Sequence, residues 1–227
     1  MSAIDEHAKV EREAMVDGIE RAAVTLAKPV GRETFAPRVL DALRQVPRHL
    51  FVPPTQLPSA YRDRPLPIGY GQTISQPFIV ALMTDILDLK ASDRVLEIGT
   101  GCGYQTAVLA RLVREVFTVE LCEPLAERAA RTFEMLDIGN IRARVGDGYI
   151  GWPEAAPFDA ILVTAAPTEI PDALVQQLAT GGRLAIPVGS KSQQLILVQK
   201  QSDQSTVLRD IIPVCFVPLT RQGDPPD

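Results

Sequence analysis

The apolar positions of this chain change period along its length. From about residue 93 onward, short apolar runs alternate with stretches whose apolar positions recur every three or four residues. Val95, Leu96 and Ile98, then Val116 to Glu120, Ile141 to Val145, Asp159 to Thr164 and Arg183 to Val188 read as strands. Between them, helices are predicted from about Tyr104, over Glu123 to Leu136, and from about Pro171 to Ala179, the last ended by Gly181-Gly182. This alternation predicts an α/β fold: a doubly wound, Rossmann-like parallel sheet with helices on both faces. Leu195 to Lys200 and Val207 to Ile212, split by a polar turn, predict a closing antiparallel pair.

The first ninety residues read differently. A polar helix up to about Lys28 carries a thin stripe at Ile4, Val16, Ile19, Ala23 and Leu26. A second helix starts at Pro37 with Val39, Leu40, Leu43 and Val46 on one face. The segment QVPRHLFVPPTQLPSAYRDRPLPIGYG has six prolines between Pro47 and Pro67, too many for a regular ladder. Leu50, Phe51, Val52 and Tyr61 make it too apolar for a free linker, so an ordered loop lying on a surface is expected. A further helix follows Pro77, placing Ser75 or Gln76 at its start, where the ordinary role of a serine is a cap. The chain is expected to form one domain over 1–227. Its parts are a helical extension (1–30), helices with a substrate-side loop (31–92), a cofactor-binding core (93–220) and a polar tail (221–227).

Candidate chemistry centres on RVLEIGTGCGYQTAVLA, Arg94 to Ala110. Gly99, Gly101 and Gly103 form a turn between strand and helix, where a ligand can lie against bare backbone and free N–H groups. Tyr104 stands where the dinucleotide fingerprint wants its third glycine, which argues against NAD or FAD and for a nucleoside without a pyrophosphate. Three acidic residues fall at successive strand ends: Glu97, Glu120 and Asp147. Glu120 comes 21 residues after Gly99, close to the spacing at which a carboxylate takes both ribose hydroxyls. Asp147, between two glycines, could accept from an adenine amino group. Such a pocket suits S-adenosyl-L-methionine, with S-adenosyl-L-homocysteine as the product.

Composition narrows the partners. The chain is 46% hydrophobic and 22% charged, as soluble globular proteins are, and its net charge of −5 gives no general attraction for nucleic acid. Cys102, Cys122 and Cys215 make no metal or disulfide framework and fit buried thiols in a reducing compartment. No apolar run reaches the roughly 20 residues of a membrane span, and the acidic start lacks the form of a signal peptide. The expectation is a cytoplasmic monomer with no membrane or nucleic-acid partner and no metal. His7 and His49 are not placed as ligands, and Trp152 reads as packing.

From about Val46 to Thr220 the chain resembles the protein-L-isoaspartate O-methyltransferase family. The carrying residues are VPRHLFVP (Val46 to Pro53), GYGQTISQPFIVALMT (Gly69 to Thr84), VLEIGTGCGYQTA (Val95 to Ala107), GDGYIGWPEAAPFDAILVTAAP (Gly146 to Pro167) and GGRLAIPVG (Gly181 to Gly189). The glycine motif is common to a wide methyltransferase superfamily; TISQP ahead of it and GDGYIGWPEAAPFDAI behind it are far more specific. The resemblance implies methylation of the α-carboxyl of L-isoaspartyl residues in aged proteins and peptides. The ester then collapses to a succinimide that hydrolyses partly to aspartate. It also implies a functional serine at Ser75, a lining of Gln72, Thr73 and Ile74 around cofactor and substrate, and a cofactor turn of Glu97, Gly99, Gly101 and Gly103. Glu120 and Leu121 would contact the ribose, Asp147 and Gly148 the adenine side, and Thr220 would reach the substrate. An ionised carboxylate needs no general base, so Ser75 is expected to orient it by a hydrogen bond. Two rivals share part of the pattern: a methyltransferase acting on RNA or a small molecule, and a nucleoside-binding module without catalysis.

Overall fold

The computed structural model describes residues 3–24, 33–221 and 223. Leu26 and most of the tail, both subjects of the reading above, lie outside the described residues.

Helix α1 (Ala3–Ala23) buries Ala8, Met15, Val16, Ile19 and Ala23, so the described part of the stripe, Val16, Ile19 and Ala23, is a docking face. It packs against α2 (Pro37–Gln45), whose Val39, Leu40, Ala42 and Leu43 are buried. Arg44 on α2 reaches Glu13 at 3.2 Å and Asp17 at 3.5 Å on α1.

The proline-rich segment is ordered, as expected, but it does hold a ladder. Two 3₁₀ turns (Arg48–Phe51 and Pro54–Ser59) lead into β1 (Leu66–Gly69), which pairs antiparallel with β2 (Gln72–Ile74). Pro67 is accommodated because this is an isolated two-stranded ribbon in which every strand is an edge. Helix α3 (Pro77–Ile86) follows and is buried nearly all round.

The core is a seven-stranded sheet of β3 (Arg94–Ile98), β4 (Glu115–Glu120), β5 (Ile141–Val145), β6 (Phe158–Val163), β7 (Leu178–Val188), β8 (Gln193–Lys200) and β9 (Thr206–Val214), in spatial order β5-β4-β3-β6-β7-β8-β9. The pairs from β5 across to β7 are parallel; β8 runs antiparallel to β7 and β9. Alternate strand residues feed two cores. Val95, Val116, Ala160 and Leu162 face a layer that includes α4 (Tyr104–Ala110) and α5 (Glu123–Met135). Leu96, Ile98, Phe117, Ile161 and Val163 face a thinner cover from α6 (Asp172–Gln176) and the segment around Trp152. Trp152 packs edge-on to Phe117, with ring centroids 5.3 Å apart.

One boundary differs from expectation. Helix α6 stops at Gln176, and Gly181-Gly182 lies inside β7 rather than ending a helix. Register passes from Phe158↔Leu178 to Ala160↔Arg183, so the extra residues bulge out of the ladder. Gly181 takes φ +81° there, which makes the glycine pair a bulge signal that reads like a helix stop. The thiols also differ: Cys102 is buried, Cys122 is half-buried and Cys215 is exposed.

Candidate active site

Chain order reverses beside β3: β4 and β5 lie to one side, β6 and β7 to the other. Parallel sheets open a crevice beyond the carboxyl ends of their strands at such a point. A cavity of about 490 Å³ lies here, lined by the Gly99–Cys102 turn, Glu120, Leu121, Cys122, Gly148 and Thr164. The substrate-side segment contributes Tyr70 through Ser75, and the chain end contributes Val217 through Arg221. That end is held by two backbone bonds, Ala166 N–H to Val217 O (2.8 Å) and Leu219 N–H to Ala166 O (2.9 Å).

Glu120 is the carboxylate of the cavity wall. Its Oε2 accepts the Gly101 N–H at 2.7 Å and its Oε1 accepts the Cys122 N–H at 2.8 Å. One side chain thus latches the glycine turn to the β4 end, and each oxygen keeps a further lone pair for a ligand. Glu120 and Arg221 are the charged side chains in this wall. The site therefore offers a diol acceptor in Glu120, and its residues fit a nucleoside ligand such as S-adenosyl-L-methionine.

The profile of the "Protein-L-isoaspartate(D-aspartate) O-methyltransferase (PCMT)" family matches residues 27–224. The chain belongs to this family. A protein-L-isoaspartate O-methyltransferase 1 from Cupriavidus necator is 51% identical over 221 residues, covering 96% of this chain and 85% of the relative. A solved protein-L-isoaspartate O-methyltransferase superposes with a TM-score of 0.80 at 30% identity, over 91% of this chain and 65% of that longer one. A Plasmodium falciparum structure described under the same activity name, in complex with S-adenosyl-L-homocysteine, gives a TM-score of 0.79 over 92% and 98% of the two chains. At 24% identity the last likeness concerns the fold.

Against this family background, the residues singled out from the sequence fall into three groups. Gln72, Thr73, Ile74, Ser75, Gly99, Gly101, Glu120, Leu121, Gly148 and Thr220 line the cavity together. Asp147 does not: it lies in an adjoining depression with Tyr149 and Gln177, its Oδ1 accepting the Tyr149 N–H at 2.8 Å. Arg221 lines both spaces and stacks 4.3 Å over the Tyr149 ring. Gly103 and Glu97 are behind the wall. Gly103 is the N-cap of α4, packed against Phe133 and Ala129. Ser75 is not the cap of α3; the N-cap is Gln76, and the Ser75 hydroxyl has no hydrogen-bond partner among the described residues.

Glu97 is fully buried, and its Oε2 accepts from Thr106 Oγ1 (2.5 Å) and Thr118 Oγ1 (2.6 Å). Thr118 also meets Thr100 Oγ1 at 2.6 Å, and Thr100 lines the cavity. Glu97 thus lies behind the cavity wall and supports the turn from inside, because its strand position faces α4. Burial lifts its pKa to about 8, the threonine bonds oppose this, and the Glu120 charge adds to it. In the unfolded chain the group ionises near 4.5, so between these values the folded protein holds a proton that the unfolded chain has lost. The stability from neutral Glu97 is complete below pH 4.5 and is lost as pH rises through about 8. The slope approaches about 1.4 kcal/mol per pH unit inside that window. Glu97→Gln, a neutral near-isostere, is expected to flatten the fall in urea stability between mildly acidic and mildly alkaline buffer. An unchanged slope in the variant would remove Glu97 as its source.

The sequence reading did not single out Thr164, which directly follows β6 and whose hydroxyl donates to Gly99 O at 2.6 Å. It also missed Arg221, which enters the wall only through the returning chain end.

Proposed function

We propose that the chain transfers a methyl group from S-adenosyl-L-methionine to the α-carboxyl of L-isoaspartyl residues in damaged proteins and peptides. The reading rests on one observation above all: Ser75, unbonded, shares one cavity wall with Glu120 and the glycine turn. When bound, S-adenosyl-L-methionine supplies an electrophilic methyl carbon. Glu120 accepts from the two ribose hydroxyls with the lone pairs left over from Gly101 and Cys122. Gly99 and Gly101 let the ligand lie against the backbone, and Gly148 bounds the space on the β5 side, with Asp147 beyond it. The substrate carboxylate is ionised at neutral pH, so no residue need take its proton. Ser75 donates a hydrogen bond that turns one carboxylate oxygen toward the methyl carbon, and Gln72, Thr73, Ile74 and Thr220 frame the approach. Catalysis then comes from alignment and exclusion of water.

A cytoplasmic setting is part of this reading, supported by three cysteines whose spacing makes no disulfide framework. The acidic balance supports a protein rather than a nucleic-acid partner. A monomer is the working form.

Labelled methyl transfer to matched peptides carrying L-isoaspartate or L-aspartate at one site tests the reading. Base-labile label is expected on the isoaspartyl peptide alone; label on neither, with cofactor binding intact, would overturn it. Ser75→Ala is expected to lower kcat/KM on the order of tenfold, the worth of one hydrogen bond to a charged group. Full retention of kcat/KM would end the orienting role.

A further inference from the structure

Helix α3 begins with a proline and receives no cap from its own N-cap residue, Gln76. The cap comes instead from the proline-rich segment. Asp63 Oδ1 accepts the Phe78 N–H at 2.8 Å, and Asp63 Oδ2 accepts from Gln76 Nε2 at 2.9 Å. One exposed carboxylate therefore clamps the two residues that flank Pro77, immediately after Ser75. The Ser75 hydroxyl has no hydrogen bond among the described residues, so its placement is inherited from this corner.

The loop carrying Asp63 is in turn tied to the cofactor side. Arg48 is fully buried; its Nε donates to Ala60 O at 2.9 Å and its Nη2 reaches Arg64 O at 3.5 Å, bracketing Asp63. The Arg48 guanidinium lies 4.8 Å over the ring of Tyr104, the first residue of α4 after the glycine turn. Tyr104 also meets Phe51 edge-on at 5.6 Å. Burying a guanidinium without a paired carboxylate is costly, and Arg48 Nη1 has no hydrogen-bond partner among the described residues. A continuous line of contacts therefore runs from Tyr104 through Arg48 and the Ala60–Arg64 loop to Asp63 and the Ser75 corner.

The geometry points to Asp63 as a positioning residue for methyl transfer: it sets the Ser75 hydroxyl against the cofactor turn without touching cofactor or substrate. This rests on the function proposed above. Alignment is where such a device acts, since small misplacements of reacting groups cost rate far more than affinity.

The test compares Asp63→Ala, Asp63→Asn and, as a control on the β8–β9 turn, Asp203→Asn. In Asp63→Ala, hydrogen exchange of the Phe78 amide is expected to rise roughly fivefold to tenfold, as for a lost helix cap. Affinity for S-adenosyl-L-homocysteine is expected to stay within about twofold, while kcat on an isoaspartyl peptide falls about tenfold or more. Asp63→Asn keeps an acceptor for Phe78, and the Gln76 amide can turn round to accept from its new NH₂. It is therefore expected to recover both the exchange and most of kcat, and the control to match the parent. Wild-type exchange and kcat in Asp63→Ala would overturn the assignment. So would loss of cofactor affinity in step with kcat, which marks general damage, or Asp63→Asn as impaired as Asp63→Ala, which marks charge rather than placement. If the parent protein methylates no isoaspartyl peptide, the proposed function fails separately, and the Phe78 exchange with the cofactor affinities decides Asp63 alone.

Discussion

Glu120→Ala is expected to weaken S-adenosyl-L-homocysteine binding on the order of a thousandfold, from two lost charge-assisted bonds worth roughly 1.5–3 kcal/mol each. The loss has a second source inside the protein. Glu120 holds the Gly101 and Cys122 N–H groups at 2.7 and 2.8 Å, and alanine releases both. The turn then loses the shape that the ligand meets. Glu120→Gln separates the two effects poorly in volume but well in chemistry. Its amide has one oxygen, so its NH₂ must face one of the two backbone donors. Affinity is expected to fall by on the order of a hundredfold, since one acceptor survives. Titration calorimetry with S-adenosyl-L-homocysteine reads both variants. Binding by Glu120→Ala within tenfold of the parent would remove the ribose role.

The second large effect is on folding. Gly103 has φ +90°, and a Cβ there would lie 2.5 and 2.6 Å from the edge of the Phe133 ring and 3.2 Å from Ala129 Cβ. Both ring and methyl belong to the buried face of α5, so neither can swing into solvent. Gly103→Ala is expected to cost about 2–5 kcal/mol, combining left-handed backbone strain with overpacking. For a domain of ordinary stability that is a large share of the total. Gly101→Ala makes the contrast: its Cβ would meet only Ile68 Cδ1, at 3.5 Å, so only the backbone part of the cost remains. Urea unfolding of the two variants, and of Gly103→Ala with Phe133→Leu, measures the steric part directly. If the double variant recovers nothing, the collision with Phe133 is not the cause. Equal losses at the two glycines would point the same way.

The comparison of Gly99, Gly101 and Gly103 shows how far a motif can be read. All three have positive φ, as a tight strand-to-helix turn demands, and that requirement is local and therefore visible in the sequence. Which of them faces the ligand is not local. Gly103 is enclosed by a helix that begins twenty residues later in the chain, at Glu123. The same holds for the acidic residues. Glu97, Glu120 and Asp147 share a place near strand ends, yet one is buried under α4, one latches the turn and one stands in the neighbouring depression. Strand alternation turns Glu97 toward α4, and the Asp147–Tyr149 turn draws Asp147 away from the main cavity.

The amino-acid sequence alone determined the strand and helix alternation, the parallel core, the glycine turn and the place of Glu120 at the end of its strand. Each depends on side-chain period or on spacing along one strand–turn–helix unit, which short-range sterics and burial dictate. The tertiary structure alone decided the rest. Asp63 reaches Phe78 across 15 residues of proline-rich chain, Arg48 crosses to Tyr104, and Val217 to Arg221 return to complete the wall. These contacts join segments whose own patterns carry no trace of one another. They form because packing brings an unsatisfied N–H, an apolar ring or an open crevice beside whatever the fold places next to it.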